Sequence, residues 1–301
     1  MNNMFFPLRR MNRLYHLPDS NIYTARFLQD LSSGYSFILG DRTKSGDFLS
    51  FEPQDSKISK LFKRSYRYDL SHDVEEIIEK ITYSLIAFGK AYAYFEPDYH
   101  LSKDEKSDNR ELSSLKIRNI EGFIKQQNKT HILFYRKGPN NKVSIMRMNK
   151  NQLIVFDIKE LGYKKRQFIN ILRKLEKCDI TLSSTYMVGG GLDGYDFSIH
   201  AKKSMLHEMK AVKDIGWSFR VEGLSDSYLL YKRIQFMKLK LKFLQYIVER
   251  LNTGLEEYIE DVDGKLVAHI KEIRFDKLWT DYYHGKVSGT ELTSILYHSV
   301  I

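Results

Sequence analysis

"RIQFMKLKLKFLQYIVERLNTGL", residues 233–255, sets a lysine on every second residue from Lys238 to Lys242, the alternation of an exposed strand. Its apolar residues keep another period. Leu230, Ile234, Met237, Leu241, Leu244, Val248, Leu251 and Leu255 step by fours and threes, which stacks them on one side of a helix. The longer run decides. The spacing predicts a helix over about 226–259, capped by Ser225 and the longest in the chain. Ile234, Met237, Leu241, Leu244, Val248, Leu251 and Leu255 then form a heptad-like seam, expected to pack and to join copies of the chain. Lys238, Lys240 and Lys242 fall off the seam and are expected on a wet face, available to phosphate.

Outward from this helix the chain reads as α+β, mainly helical, with a small antiparallel sheet from about 90 to 158. Residues 1–70 read as an irregular basic segment with one short helix near 57–63. Residues 71–187 read as a helix plus antiparallel sheet, and 188–301 as a helical region. "SHDVEEIIEKITYSLIAFG" has a Ser71 cap, acids in its first turn and Gly89 as its stop, so a helix is expected there. "KAYAYFEP" follows as a strand, and 101–114 as a polar loop. "HILFYRK", "KVSIMRM" and "QLIVFDI" read as a three-stranded meander turning at "GPNN". Helices are expected in "YKKRQFINILRKLEK" and over 198–215, the latter with Ile199, Met205, Leu206, Met209 and Val212 inward. "KLVAHIKEI" is a strand, and "FDKLWTDYYHG" and "SGTELTSILYH" close the chain as helices, the second with a Ser288–Glu291 capping box.

Composition sets limits. The 301 residues are 42% hydrophobic with 20 Tyr and 18 Phe, so burial rests on rings, and half-buried tyrosines suit contacts between subunits. The lone Cys178 forms no internal disulfide. "MNNMFFPLRRMNRLYHLP" does not read as a signal peptide, and no apolar run is long enough for a membrane span. A net charge of +10 biases the protein towards polyanions.

Motifs for chemistry are sparse. Gly189, Gly190 and Gly191 lack the Lys-Ser/Thr of a phosphate loop and read as a hinge. His200 and His207 stand seven apart, wrong for a zinc pair on a helix, and no metal or cofactor is expected. Glu256, Glu257, Glu260, Asp261 and Asp263 read as a solvated helix end; a metal-dependent nuclease centred on them is the less favoured alternative. Basic residues gather in patches: Arg9, Arg10 and Arg13; Lys57, Lys60, Lys63, Arg64 and Arg67; and Lys164, Lys165 and Arg166. Arg9, Arg10, Arg13, Lys60, Lys63 and Arg64, with Lys238, Lys240 and Lys242, are the candidate nucleic-acid contacts. They suit phosphate without base readout, as in a sequence-nonspecific binding protein of a virus or plasmid.

The order of elements resembles that of tailed-bacteriophage portal proteins. "SLIAFGKAYAYFEPDY" is similar to their early helix-Gly-strand passage, and "NNKVSIMRMNKNQLIVFDIKELGY" to their strand pair before a glycine turn. "HAKKSMLHEMKAVKDIGWSFRVEG", "LKFLQYIVERLNTGL" and "LWTDYYHGKVSGTELTSIL" resemble the helix, the late long helix and the closing helices that follow. The likeness covers roughly residues 74–296. It departs between Gly223 and Ser225, where many portals carry an insertion contributing to the channel. The resemblance implies a homo-oligomeric ring, usually a dodecamer, at one capsid vertex of the virion, made in the host cytoplasm. Such a ring conducts double-stranded DNA during packaging and ejection and docks the packaging motor and the tail or adaptor proteins. It implies no catalytic residue and no membrane.

Overall fold

Residues 22–41, 47–66, 69–101, 110–120, 122–127, 131–137, 143–149, 152–164, 166–187, 197–218, 225–271 and 274–292 are described by the structure, a computed structural model. Arg9, Arg10, Arg13 and the Gly189–Gly191 link lie outside them. The opening stretch is a helix: α7, Asp226–Tyr258, with the Tyr228 N–H donating to the Ser225 hydroxyl. At 1.5 Å per residue its 33 residues run about 50 Å.

The N-terminal third is not irregular from Ile22 onward. Helix α1 (Ile22–Ser32) buries Tyr23, Phe27, Leu28 and Leu31, and α2 (Tyr35–Leu39) follows after a two-residue turn. Strand β1 (Leu49–Glu52) and α3 (Lys57–Ser65) come next. The short helix expected near 57–63 is α3. It is started by Ser56, whose hydroxyl accepts the Ser59 N–H, and it turns Ile58 and Phe62 inward.

Helix α4 (Leu70–Phe88) buries Val74, Ile78, Ile81 and Leu85 and ends at Gly89, whose φ of 78° breaks the helix at no steric cost. Its cap is Asp69, not Ser71. The Ser71 hydroxyl instead accepts the Leu49 N–H, tying β1 to the helix.

Strands β2 (Lys90–Leu101) and β3 (Arg110–Asn119) pair antiparallel, and β7 (Ile154–Asp157) takes the other side of β2, giving the order β3-β2-β7. Of the polar loop expected over 101–114, Leu101 and residues 110–114 are strand, and 102–109 lie outside the described residues. Strands β4 (Gly122–Gln127), β5 (His131–Lys137) and β6 (Val143–Asn149) form a separate antiparallel meander. So "QLIVFDI" does not complete that meander. Its Ile154 and Phe156 join Ala91, Ala93, Phe95, Leu115 and Ile117 in the main core, on one side of the three-stranded sheet.

Helix α5 (Gln167–Met187) buries Phe168, Ile171, Leu172, Leu175 and Cys178. Helix α6 (Phe197–Val212) is rotated from the expected phase. Ser204, Glu208, Ala211 and Val212 face inward, while Leu206 is half exposed. Apolar periodicity misses this because Glu208 lies in the interior, where its charge acts on Lys232. Strand β8 (Lys265–Ala268) pairs antiparallel with β1, and α8 (Phe275–Tyr283) follows. The capping box forms as expected, the Ser288 N–H donating to Glu291 and the Glu291 N–H to the Ser288 hydroxyl.

One continuous hydrophobic core runs from Tyr23 through Phe62, Ile81, Phe156 and Phe243 to Leu292. All three sequence segments contribute to it. Stacked Phe51 and Phe62, and the edge-on pair Phe168 and Phe243, show how the rings fill it. The fold is α+β, mainly helical, with small antiparallel sheets around a long helix. Among the described residues no helix is long and apolar enough to cross a membrane.

Candidate functional site

The seam of α7 lies inside the chain's own fold. Ile234, Met237, Leu244, Leu251 and Leu255 are buried, and Leu241 and Val248 are partly buried against the same core. Leu239, Phe243 and Ile247 are buried beside them, so the apolar face is far wider than a two-stranded seam. Its partners are the chain's own helices and β7.

The lysines of α7 have three different fates. Lys242 is exposed, its ammonium 4.9 Å from the centre of the Tyr163 ring. Lys238 is paired with Asp276 of α8. Lys240 is buried completely, and the expectation of a solvated, phosphate-facing lysine fails there. Its Nζ donates to the carbonyls of Asp30, at 2.7 Å, and Ser33, with Leu31 O at 3.5 Å, and lies 4.6 Å from the centre of the Tyr35 ring. Those carbonyls end α1. On the far side of the same turn, Glu79 accepts the Gly34 N–H and Glu75 the Ser36 N–H, both at 2.7 Å. A cation thus holds the C-terminal carbonyls of α1 while two carboxylates hold the amides opening α2. Burial pushes Lys240 down to about 7, against the opposing pull of Glu79, Asp30 and Glu75. Burial likewise raises Glu79.

Lys60, Lys63 and Arg64 stand exposed on the outer side of α3, with Lys57 at its start. Arg64 reaches the Ser113 carbonyl on β3. Lys60 and Lys63 enter no ion pair among the described residues. This surface continues onto Lys116 and Arg118 of β3, which sequence reasoning passed over: they sit in an ordinary alternating strand and belong to no motif. Arg118 is held by Glu96 at 2.6 Å, and that bond raises its already high pKa further. Between the end of α3, the first half of α4 and the outer face of β2 and β3 lies a polar cleft of about 500 Å³, lined among others by Ser65, Asp73, Lys116 and Asn119.

The acidic end of α7 gathers no ligand set. Asp263 turns back to accept the Lys57 and Ile58 N–H groups at the start of α3, while Glu256, Glu257 and Glu260 point outward. Among the described residues no group of three His, Cys, Asp or Glu could hold a metal ion. His207 is exposed, and Cys178 is buried against its own helix. Arg250 and Tyr246 of α7 serve the sheet: Arg250 donates to the Val155 carbonyl, and the Tyr246 hydroxyl accepts the Asp157 N–H at 2.8 Å. At the opposite edge of the sheet, the Tyr66 hydroxyl does the same for β3, accepting the Ile117 N–H and donating to its carbonyl.

No family model matches the chain, and no curated protein does.

Proposed function

We propose that this chain is the structural subunit of a portal-type ring at a capsid vertex, one that conducts double-stranded DNA and docks the packaging motor and the tail. One observation carries the reading: the order of the elements. Helix α4 stops at Gly89 and gives way to β2; a meander and β7 lead to the turn at Gly162; α5 and α6 follow. The long α7 then carries Leu251-Asn252 near its end, before β8 and the closing helices. The helix-Gly-strand passage and the late long helix support this reading, whereas β6 and β7, read as a strand pair, fall in separate sheets. The exposed Lys57, Lys60 and Lys63 of α3, with Lys242, suit contact with a phosphate backbone without base readout. Because the α7 seam is used within the subunit, contacts between copies fall on other faces.

The mass of the purified chain in solution tests this reading. A ring elutes and scatters light at many multiples of 35.6 kDa. A single-chain mass at every concentration, with and without DNA, overturns it. That outcome would favour the second reading, a free-standing nonspecific nucleic-acid-binding protein, which the α3 face supports equally. In either case Lys60→Glu with Lys63→Glu lowers the salt dependence of DNA binding by about two in log–log slope.

A further inference from the structure

A second cleft, of about 610 Å³, opens between the first three turns of α7, the Gly216–Ser218 segment that follows α6, and Gly289 with Thr290. Leu229, Arg233 and Phe236 stand four and three apart, so they share one stripe of the helix, and all three are part-exposed. Behind them Trp217, Leu230 and Lys232 are buried. Lys232 turns its ammonium to the Trp217 carbonyl, at 3.3 Å, and towards the charge of Glu208. Arg233 is therefore the lining cation open to a ligand. Burial lowers it to about 10, which leaves it charged at neutral pH. The two acids of the lining oppose an anion there only weakly. Asp30 is held by Arg26 at 2.9 Å and by the Trp217 indole N–H at 3.0 Å. Asp226 is exposed and lies two turns before Arg233, about 10 Å along the helix, where water and salt screen it.

A guanidinium set between two apolar side chains matches a ligand with one charge and a hydrocarbon body, and its planar fork suits a carboxylate best. From this stripe we propose that the cleft binds a small monocarboxylate with an apolar chain, its carboxylate on Arg233 and its chain against Leu229 and Phe236. Inorganic phosphate would leave Leu229 and Phe236 in water. A neutral hydrocarbon would strip water from the guanidinium and give nothing in return. The volume lies within the usual range for small ligands, whose sites are mostly apolar with a few placed polar groups. The inference is independent of ring assembly.

Calorimetric titration of the full chain with octanoate and with its neutral counterpart octanamide is the test. Octanoate binds, roughly tenfold more tightly than octanamide. Arg233→Met erases that preference, weakening octanoate while leaving octanamide unchanged. Leu229→Trp fills the cleft from a part-exposed position and abolishes binding of both. Should Arg233→Met fail to fold, the comparison of the two ligands on the wild type, with Leu229→Trp, decides the matter. Absence of heat at millimolar octanoate, equal affinity for the two ligands, or octanoate binding undiminished in Leu229→Trp overturns the proposal.

Discussion

Lys240→Met separates the charge of a buried lysine from its packing. Burial lowers Lys240 from its ordinary 10.5 to about 7, so the folded protein sheds this proton near neutrality while the unfolded chain keeps it. Between those values the unfolded state binds more protons, and stability rises with pH. The slope is about 1.4 kcal/mol per pH unit, so moving from about pH 7.5 to 9.5 adds on the order of 2–3 kcal/mol to the wild type from this group alone. Below pH 7 both states are charged and the contribution is flat. The methionine variant has no such slope. It also leaves the Asp30 and Ser33 carbonyls without their donor, at about 1–3 kcal/mol each. Urea unfolding followed by circular dichroism, run on both proteins at both pH values, isolates the effect, because other titrating groups cancel in the difference. Wild type should pull ahead of the variant as pH rises. Parallel pH profiles would refute the reasoning and place an ordinary, solvated lysine at this position.

Asn252→Ala removes two bonds to Leu266, one from its Nδ2 to the carbonyl and one from the Leu266 N–H to its Oδ1; unfolding free energy should fall by about 2–3 kcal/mol. At Gly216, φ is 72° and an added Cβ would lie 2.2 Å from the Lys232 carbonyl. Gly216→Ala should therefore cost several kcal/mol, on the order of a core truncation, seen as a sharply lowered thermal midpoint. Tyr246→Phe leaves the Asp157 amide without its acceptor, so hydrogen exchange at Asp157 should accelerate markedly while that of the α4 core amides stays unchanged.

The long helix was legible because its apolar period runs unbroken from Leu230 to Leu255. Its partner was not. A seam of that period fits a neighbouring copy or the chain's own elements, and only the packing of Ile154, Phe156 and α5 decides between them. Lys240 stands three residues after Met237 and four before Leu244, so its place near the inner face could be read from spacing. Its burial could not, because the carbonyls that accept its protons lie some 210 residues away. Helix α1 differs: Tyr23, Phe27, Leu28 and Leu31 carry a helical period in the sequence itself, next to the basic residues that make 1–70 read as irregular. The polar cleft beside α3 has no linear signature. Its walls are drawn from α3, α4, β2 and β3.

The three-stranded sheet has two outer strands, and each is occupied. Tyr66 engages both backbone groups of Ile117, and Arg64 the carbonyl of Ser113, along β3; Tyr246 and Arg250 do the same work along β7. At Ile117 and Asp157 a foreign strand could pair only by evicting a tyrosine first. Ladder growth into fibrils is thereby opposed at these two positions, where a neighbour must be recognised by the shapes and charges of side chains.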